Sequence, residues 1–416
     1  MTDLSFLNPF RPGAGHAPPY LAGRDSERDE MRRLLRQSTI TENMVLTGLR
    51  GVGKTVLLET FKPLAIEGGW LWANADLSES VSVTEDTLAT RILADIALFT
   101  APLLVRESKQ MAFGFTSQER VIRQPLNFAV LRQYYDSVPG LVADKLKATL
   151  EFVWSLLPKP AIKGAVFAYD EAQNMTDHAV RDQYPLSVLL EVFQSIQKKG
   201  IPFMLVMTGL PTLFPKLVEA RTYAERMFHI VFLKPLDEEA TKEAILKPIA
   251  DTKCPIKFSP DVVHKVWELS RGYPHFIQFI CKEVYDAWLT KIANDEVPSI
   301  PEEEVIMKLD TNFFSGRWAK ATDRQRDLLH VISLLEGCES EFTVQEVVLE
   351  SRATLAKPFT SSHVNQMLLS LSELGLVYKN RFGKYSLAVP LMSGFIRRQT
   401  LAIAGFETKQ AQSNVP

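Results

Sequence analysis

A chain of 416 residues with 46% hydrophobic and 23% charged residues has the make-up of a soluble globular protein and is long enough for about three domains. Its net charge of −2 excludes nucleic-acid binding through overall basicity, so such a contact must come from a local patch. Cys254, Cys281 and Cys338 form neither a disulfide framework nor a metal-ligand pattern, no apolar run approaches the roughly 18 residues of a membrane span, and Met1–Phe10 lacks the basic start of a signal peptide, which makes the cytoplasm the expected compartment.

In chain order, Asn8–Tyr20 is too rich in Pro and Gly for regular structure and reads as an extended arm. Asp25 or Ser26 is placed to cap a helix reaching about Gln37. Tyr20, Leu21 and Ala22 are either the cover of a nucleotide base or the plain lead-in to that helix. A short apolar run, Met44–Leu46, then flows into Gly48-x-x-x-x-Gly53-Lys54-Thr55, a phosphate-binding loop in its required strand-then-helix setting. Gly48, Gly51 and Gly53 permit the turns that, with Val52, aim backbone N–H groups at a triphosphate. Lys54 reaches the β- and γ-phosphates of ATP, Thr55 ligates Mg²⁺, and the helix starting near Gly53 points its positive end at the anion. Trp70–Ala75 reads as a second strand and Thr84–Leu98 as an amphipathic helix. Residues 101–125 break the pattern and read as an exposed insertion, either flexible or a small hairpin, serving as a surface excursion or a partner-binding element.

A second constellation is the apolar run Ala165–Tyr169 ending in Asp170 and Glu171, the pattern of a buried parallel strand with acids at its C-terminal end. Asp170 is assigned to the Mg²⁺ shell and Glu171 to orienting and deprotonating the attacking water. A helix over Pro185–Lys199 precedes the strand from Ile201, where Thr208 either bonds the lytic water or the γ-phosphate, or caps the next helix. Arg221 and Arg226 stand before a last strand, Ile230–Phe232, and either one fits an arginine finger to a neighbour's nucleotide or a structural role.

This order of motifs resembles the AAA+ ATPases, in the branch of the archaeal and eukaryotic origin-recognition initiators and related prokaryotic ATPases. The resemblance runs from Tyr20-Leu21-Ala22-Gly23-Arg24 through the phosphate loop, Asp170-Glu171, Thr208-Gly209 and Arg226 to the segment from Ser270 to Gln278. It implies a parallel sheet of order 5-1-4-3-2 and an α-helical lid over the nucleotide. It also places His275 where many members carry an arginine on the γ-phosphate, which with Arg271 nearby implies a slow switch. Hence the expected division is a core with its arm over 1–235, a lid over 236–310, a winged helix over 311–402 and a tail over 403–416.

The winged helix is read from helices over Thr322–Leu335, Thr343–Leu349 (the shorter) and Thr360–Leu374, stopped by Gly375, then two strands around Asn380–Lys384 and a helix over Pro390–Arg398. Its third helix presents Ser361, Ser362, His363, Asn365 and Gln366, suited to base edges, and its wing presents Lys379, Arg381 and Lys384, suited to phosphates. Residues 316–400 hold eleven Lys and Arg against eight Asp and Glu, a weak basic bias. The expectation is an ATP-dependent switch that binds duplex DNA, self-associates with ATP and works with a further protein partner, with no membrane. The rival is a STAND-type signalling or defence ATPase whose winged helix grips its own core.

Overall fold

The computed structural model describes residues 7–13, 15–77, 80, 83–113, 116–251, 256–293, 299–380 and 383–400. Its contacts divide the chain into two compact units, one of residues 25–47 and 57–232, the other of residues 1–24, 48–56 and 233–416.

The first unit is built on a parallel sheet. After α1 (Asp25–Leu34) come β1 (Asn43–Thr47), α2 (Lys54–Glu67), whose first turn belongs to the other unit, and β2 (Trp70–Asp76). Then follow α3 (Glu85–Thr100), the hairpin β3 (Leu104–Phe113) and β4 (Thr116–Pro125), α4 (Phe128–Ser137) and α5 (Val142–Leu156). The unit closes with β5 (Gly164–Asp170), α6 (Pro185–Lys198), β6 (Phe203–Gly209), α7 (Leu213–Ala220), α8 (Ala224–Met227) and β7 (Phe228–Phe232). The sheet runs β2-β5-β6-β1-β7, all parallel, which in the order of the five core strands is the expected 5-1-4-3-2. Every residue of β1, β5 and β6 is buried, because helices cover both faces of a parallel sheet and leave no solvated side to alternate toward. Buried Asn43 ties strands together: its Oδ1 accepts from Leu205 N–H at 2.8 Å and from Gln197 Nε2 at 2.9 Å.

Thr84 caps α3 through a reciprocal bond with Thr87, which accounts for the start of that helix. Of the two forms open to 101–125 the chain takes the hairpin, its strands paired from Leu104 with Pro125 to Phe113 with Thr116. Its base is anchored in the core, where Thr100 Oγ1 donates to Leu126 O at 2.7 Å. Helices α4 and α5 went unread in the sequence although Leu131, Leu146, Leu150 and Val153 line one core with α3 and α6.

The second unit is helical. It contains α9 (Glu238–Ala250), α10 (Pro260–Ser270), α11 (Pro274–Ala293), α12 (Glu302–Leu309), a π-helical turn (Asp310–Phe314), α13 (Ser315–Trp318), α14 (Asp323–Leu334), α15 (Val344–Thr354) and α16 (Ser361–Glu373). An antiparallel pair, β8 (Val377–Lys379) with β9 (Tyr385–Leu387), and a helix over 392–400 complete it. From α14 onward this is the element order expected for a winged helix, with Thr322, Thr343 and Thr360 each capping its helix. The second helix corrects the sequence reading: it extends past Leu349 to Thr354, with buried Ser351 continuing the face of Val347 and Val348 beyond the point where the apolar residues run out. The N-terminal arm belongs to this unit. Asn8 Nδ2 donates to Lys282 O at 3.0 Å and to Asp286 Oδ1 at 2.8 Å, and the Phe10 ring lies 6.2 Å from those of Phe258 and Tyr285. Among the described residues, no helix is long and apolar enough to cross a membrane.

Candidate functional site

The phosphate loop begins at the residue after β1, where a buried strand ends and the backbone must turn at once into α2. Gly51 and Gly53 take φ of +77° and +95°, a left-handed backbone that costs a residue with a Cβ about 1–2 kcal/mol. Within the helical unit the loop is gripped by backbone. His275 N–H donates to Gly51 O at 3.1 Å, and a Cβ placed on Gly51 would come within 3.2 Å of His275 Cβ. A Cβ on Gly48 would meet Leu233 O at 2.9 Å. Arg24, 6% exposed, donates from Nη2 to Val52 O at 3.1 Å and Lys234 O at 2.8 Å, and so buttresses the loop from the arm. Lys54 Nζ donates to Gly48 O at 2.9 Å and Leu49 O at 3.1 Å. Gly15 of the arm passes beside Thr55.

His275 stands in the first turn of α11. Burial lowers its pKa from the usual imidazole value, and its ring packs edge-on against Phe313 at 5.0 Å, in the π-helical turn. Arg50, in the middle of the loop, donates from Nη1 to Gly375 O at 3.4 Å, at the C-terminal end of α16, where a cation meets the negative end of the helix dipole. Tyr20 meets α9: Lys247 Nζ donates to its hydroxyl and lies 4.0 Å over its ring. Leu21 is half-buried and Ala22 buried.

The acid pair lies in the sheet unit, at the C-terminal edge where β5 ends. Asp170 is 3% exposed, its Oδ1 accepting from Glu171 N–H at 2.8 Å and from the Thr208 hydroxyl. Thr208 is one residue from the end of β6, which lies between β5 and β1. Its hydroxyl goes to Asp170 and α7 starts after Thr212, so it does not cap that helix. Glu171 holds a left-handed backbone, φ 49° and ψ 34°, and its carboxylate accepts from Gln173 Nε2. The preceding strand residue is anchored too: Tyr169 donates its hydroxyl to buried Asp95 at 3.0 Å, and Arg91 pairs with the same carboxylate. Burial pushes the Asp95 carboxyl upward against those partners, and burial together with the Asp95 charge pushes the Tyr169 phenol upward.

The two arginines part company. Arg221 Nη2 is paired with Glu191 at 3.2 Å and half-buried, whereas Arg226 is exposed on α8. In the C-terminal segment Ser361, Ser362, His363, Asn365 and Gln366 are all exposed along the first half of α16, while Val364 and Leu368 face the core. Lys379 is exposed, but Lys384 Nζ is paired with Glu341 at 3.1 Å, so the charge expected to stand free at the wing is countered. Arg381 lies outside the described residues. Arg24 and Gln173, which hold the loop and the Glu171 carboxylate, were given no role in the sequence reading. Arg24 stood inside a quoted motif, and the signal for Gln173 was Gly209, a glycine at a strand end where a backbone lets another group approach closely.

No protein-family model matches the chain, and no curated protein does. Among solved structures, the Walker-type ATPase PABY2304 of Pyrococcus abyssi is similar over 91% of this chain and 96% of its own, with a TM-score of 0.55 at 13% identity. The ORC2 protein of Aeropyrum pernix in its ADP form is similar over 93% of this chain and 97% of its own, with a TM-score of 0.52 at 14% identity. Likeness at such identity is a likeness of fold: this chain shares the overall fold of those two proteins.

Proposed function

We propose that the chain is an ATP-binding, slowly hydrolysing switch that binds duplex DNA through a C-terminal winged helix and couples nucleotide state to assembly. The observation that carries the reading is the placing of the phosphate loop. In one compact unit it is bonded to the start of α11 through Gly51 and His275, and to the end of α16 through Arg50 and Gly375. A polyphosphate settling on that loop changes the charge felt by Arg50 and the backbone that holds His275, and so has a route to the helix whose other end presents Ser362, His363, Asn365 and Gln366. In this reading Gly48, Gly51, Val52, Gly53 and Lys54 wrap the phosphates, Tyr20 and Leu21 belong to the base side, and Glu171 orients and deprotonates water.

Thr55 and Asp170 supply a hydroxyl and a carboxylate, hard oxygen donors that suit Mg²⁺. Among the described residues, no group of three or more His, Cys, Asp or Glu side chains could hold a metal by itself. That fits an ion that arrives with nucleotide phosphates and takes one or two protein oxygens. Bound there, it would neutralise charge on the transferred phosphoryl group. Arg226, exposed where Arg221 is paired, is the better finger toward a second copy of the chain.

Lys54→Ala should lose tight ATP binding, while Glu171→Gln should keep it and lose turnover by roughly 10²- to 10⁴-fold, the usual worth of a general base. Nucleotide-binding and phosphate-release assays decide this; equal turnover in Glu171→Gln and the parent sinks the assignment. Gel shifts with duplex DNA, with and without ATP, test the other half. The Arg50–Gly375 bond also favours a second reading, a STAND-type ATPase whose winged helix grips its own core. Absence of any duplex binding together with ATP-dependent self-association would select it.

A further inference from the structure

We propose that Gln173 is the positioning residue that fixes the general base to the end of β6, an inference that rests on the reading of Glu171 as that base. Gln173 sits in the 3-10 turn Ala172–Asn174 and is 8% exposed. Its side-chain amide is used at both ends. Nε2 donates to the Glu171 carboxylate, and Oε1 accepts from Leu210 N–H at 3.0 Å. The orientation is determined by the partners, since a flipped amide would aim oxygen at a carboxylate and N–H at N–H. Its main-chain oxygen accepts from Lys216 Nζ at 2.7 Å, an ammonium whose pKa burial lowers, so the turn is also clamped from α7.

Gly209 makes this approach possible. A Cβ there would stand 2.6 Å from Gln173 Oε1, closer than any real contact allows. Since Thr208 binds Asp170 and the next two residues receive Gln173, the end of β6 holds both acids: Asp170 directly and Glu171 through the amide. A shift of that strand end therefore turns the base and the acid together. The amide donor stabilises the charged carboxylate and holds it in one direction, which a water-activating base needs more in the transition state than in ATP binding.

The test is ATP binding and steady-state ATP hydrolysis by Gln173→Ala, Gln173→Glu and Gly209→Ala, full chain, beside Glu171→Gln. Loss of one charge-assisted hydrogen bond predicts a fall in kcat of about 10-fold or more for Gln173→Ala with KM within about 2-fold. Gln173→Glu, close in shape but without the amide donor, should fall at least as far, and Gly209→Ala, which retains Gln173 but crowds its Oε1, should show the same split between kcat and KM. Unchanged kcat in Gln173→Ala, with Glu171→Gln inactive, overturns the inference. Parent-like kcat in Gln173→Glu, or a loss in Gln173→Ala that falls equally on KM and ATP binding, overturns it as well, because it indicates a structural role only. An active Glu171→Gln would instead overturn the assignment of the base itself.

Discussion

The phosphate loop and the acid pair, the two halves of the proposed chemistry, are held by opposite means. Around the loop the contacts are made to its main chain: His275 N–H on Gly51 O, Arg24 on Val52 O, and at Gly48 an approach of Leu233 O that leaves no room for a Cβ. Around Asp170 and Glu171 the contacts are side chain: the Thr208 hydroxyl, the Gln173 amide, and behind them Tyr169 on Asp95. The difference teaches where substitutions are absorbed. A backbone cradle tolerates many neighbouring side chains but no added Cβ, whereas a side-chain network tolerates backbone variation but not the loss of a hydroxyl or an amide.

The largest break in that contrast should be Gly272→Ala, in the turn that delivers α11 to the loop. Gly272 has φ +72° and accepts from Leu236 N–H at 2.8 Å, and a Cβ would lie 2.0 Å from Leu236 O. Strain plus clash should cost about 3 kcal/mol or more, read as a lowered Tm or denaturant midpoint. Thr208→Val, close in shape, should cost roughly 1–3 kcal/mol, because the buried Asp170 oxygen loses its hydroxyl donor and keeps only the Glu171 N–H of the two named. The same variant should slow hydrolysis while ATP affinity, set on the backbone side, changes little, which a paired binding and turnover measurement checks.

Gly51→Ala sharpens the comparison from the other side. It should cost about 1–2 kcal/mol of stability for the left-handed backbone and weaken nucleotide binding without altering the pH dependence of any residual turnover. Calorimetric titration with a non-hydrolysable ATP analogue measures the affinity.

The smallest effect expected is on pH. Burial lowers the His275 pKa below that of the unfolded chain, near 6.5, so between the two values the unfolded state binds more protons. The stability this ring contributes is complete above about pH 6.5 and is lost as pH falls toward the folded value. Denaturant midpoints of the parent should decline in that window more steeply than those of His275→Gln. His330, lowered by burial in the same direction, contributes a similar slope in both proteins.

Much of this could be read without a structure. The phosphate loop, the acid pair, the strand order implied by the resemblance, the helix starts at Thr84, Thr322, Thr343 and Thr360, and the exposed face of α16 all rest on short-range rules. A glycine needs its turn, a threonine its helix start, and a buried strand its unbroken apolar run, whatever lies far along the chain. Three things were decided only by tertiary structure. Arg221 and Arg226 look alike in sequence, yet Glu191, thirty residues upstream, pairs with one of them. Lys384 reads as a free wing cation until Glu341 closes on it, 43 positions away by the numbering. Gln173 gains its role from Leu210 and Gly209, brought beside it by the pairing of β5 with β6. Local sequence sets what a backbone can do, but a charge or an amide has no fixed role until folding chooses its partner, and that choice is made by burial and packing summed over the whole unit.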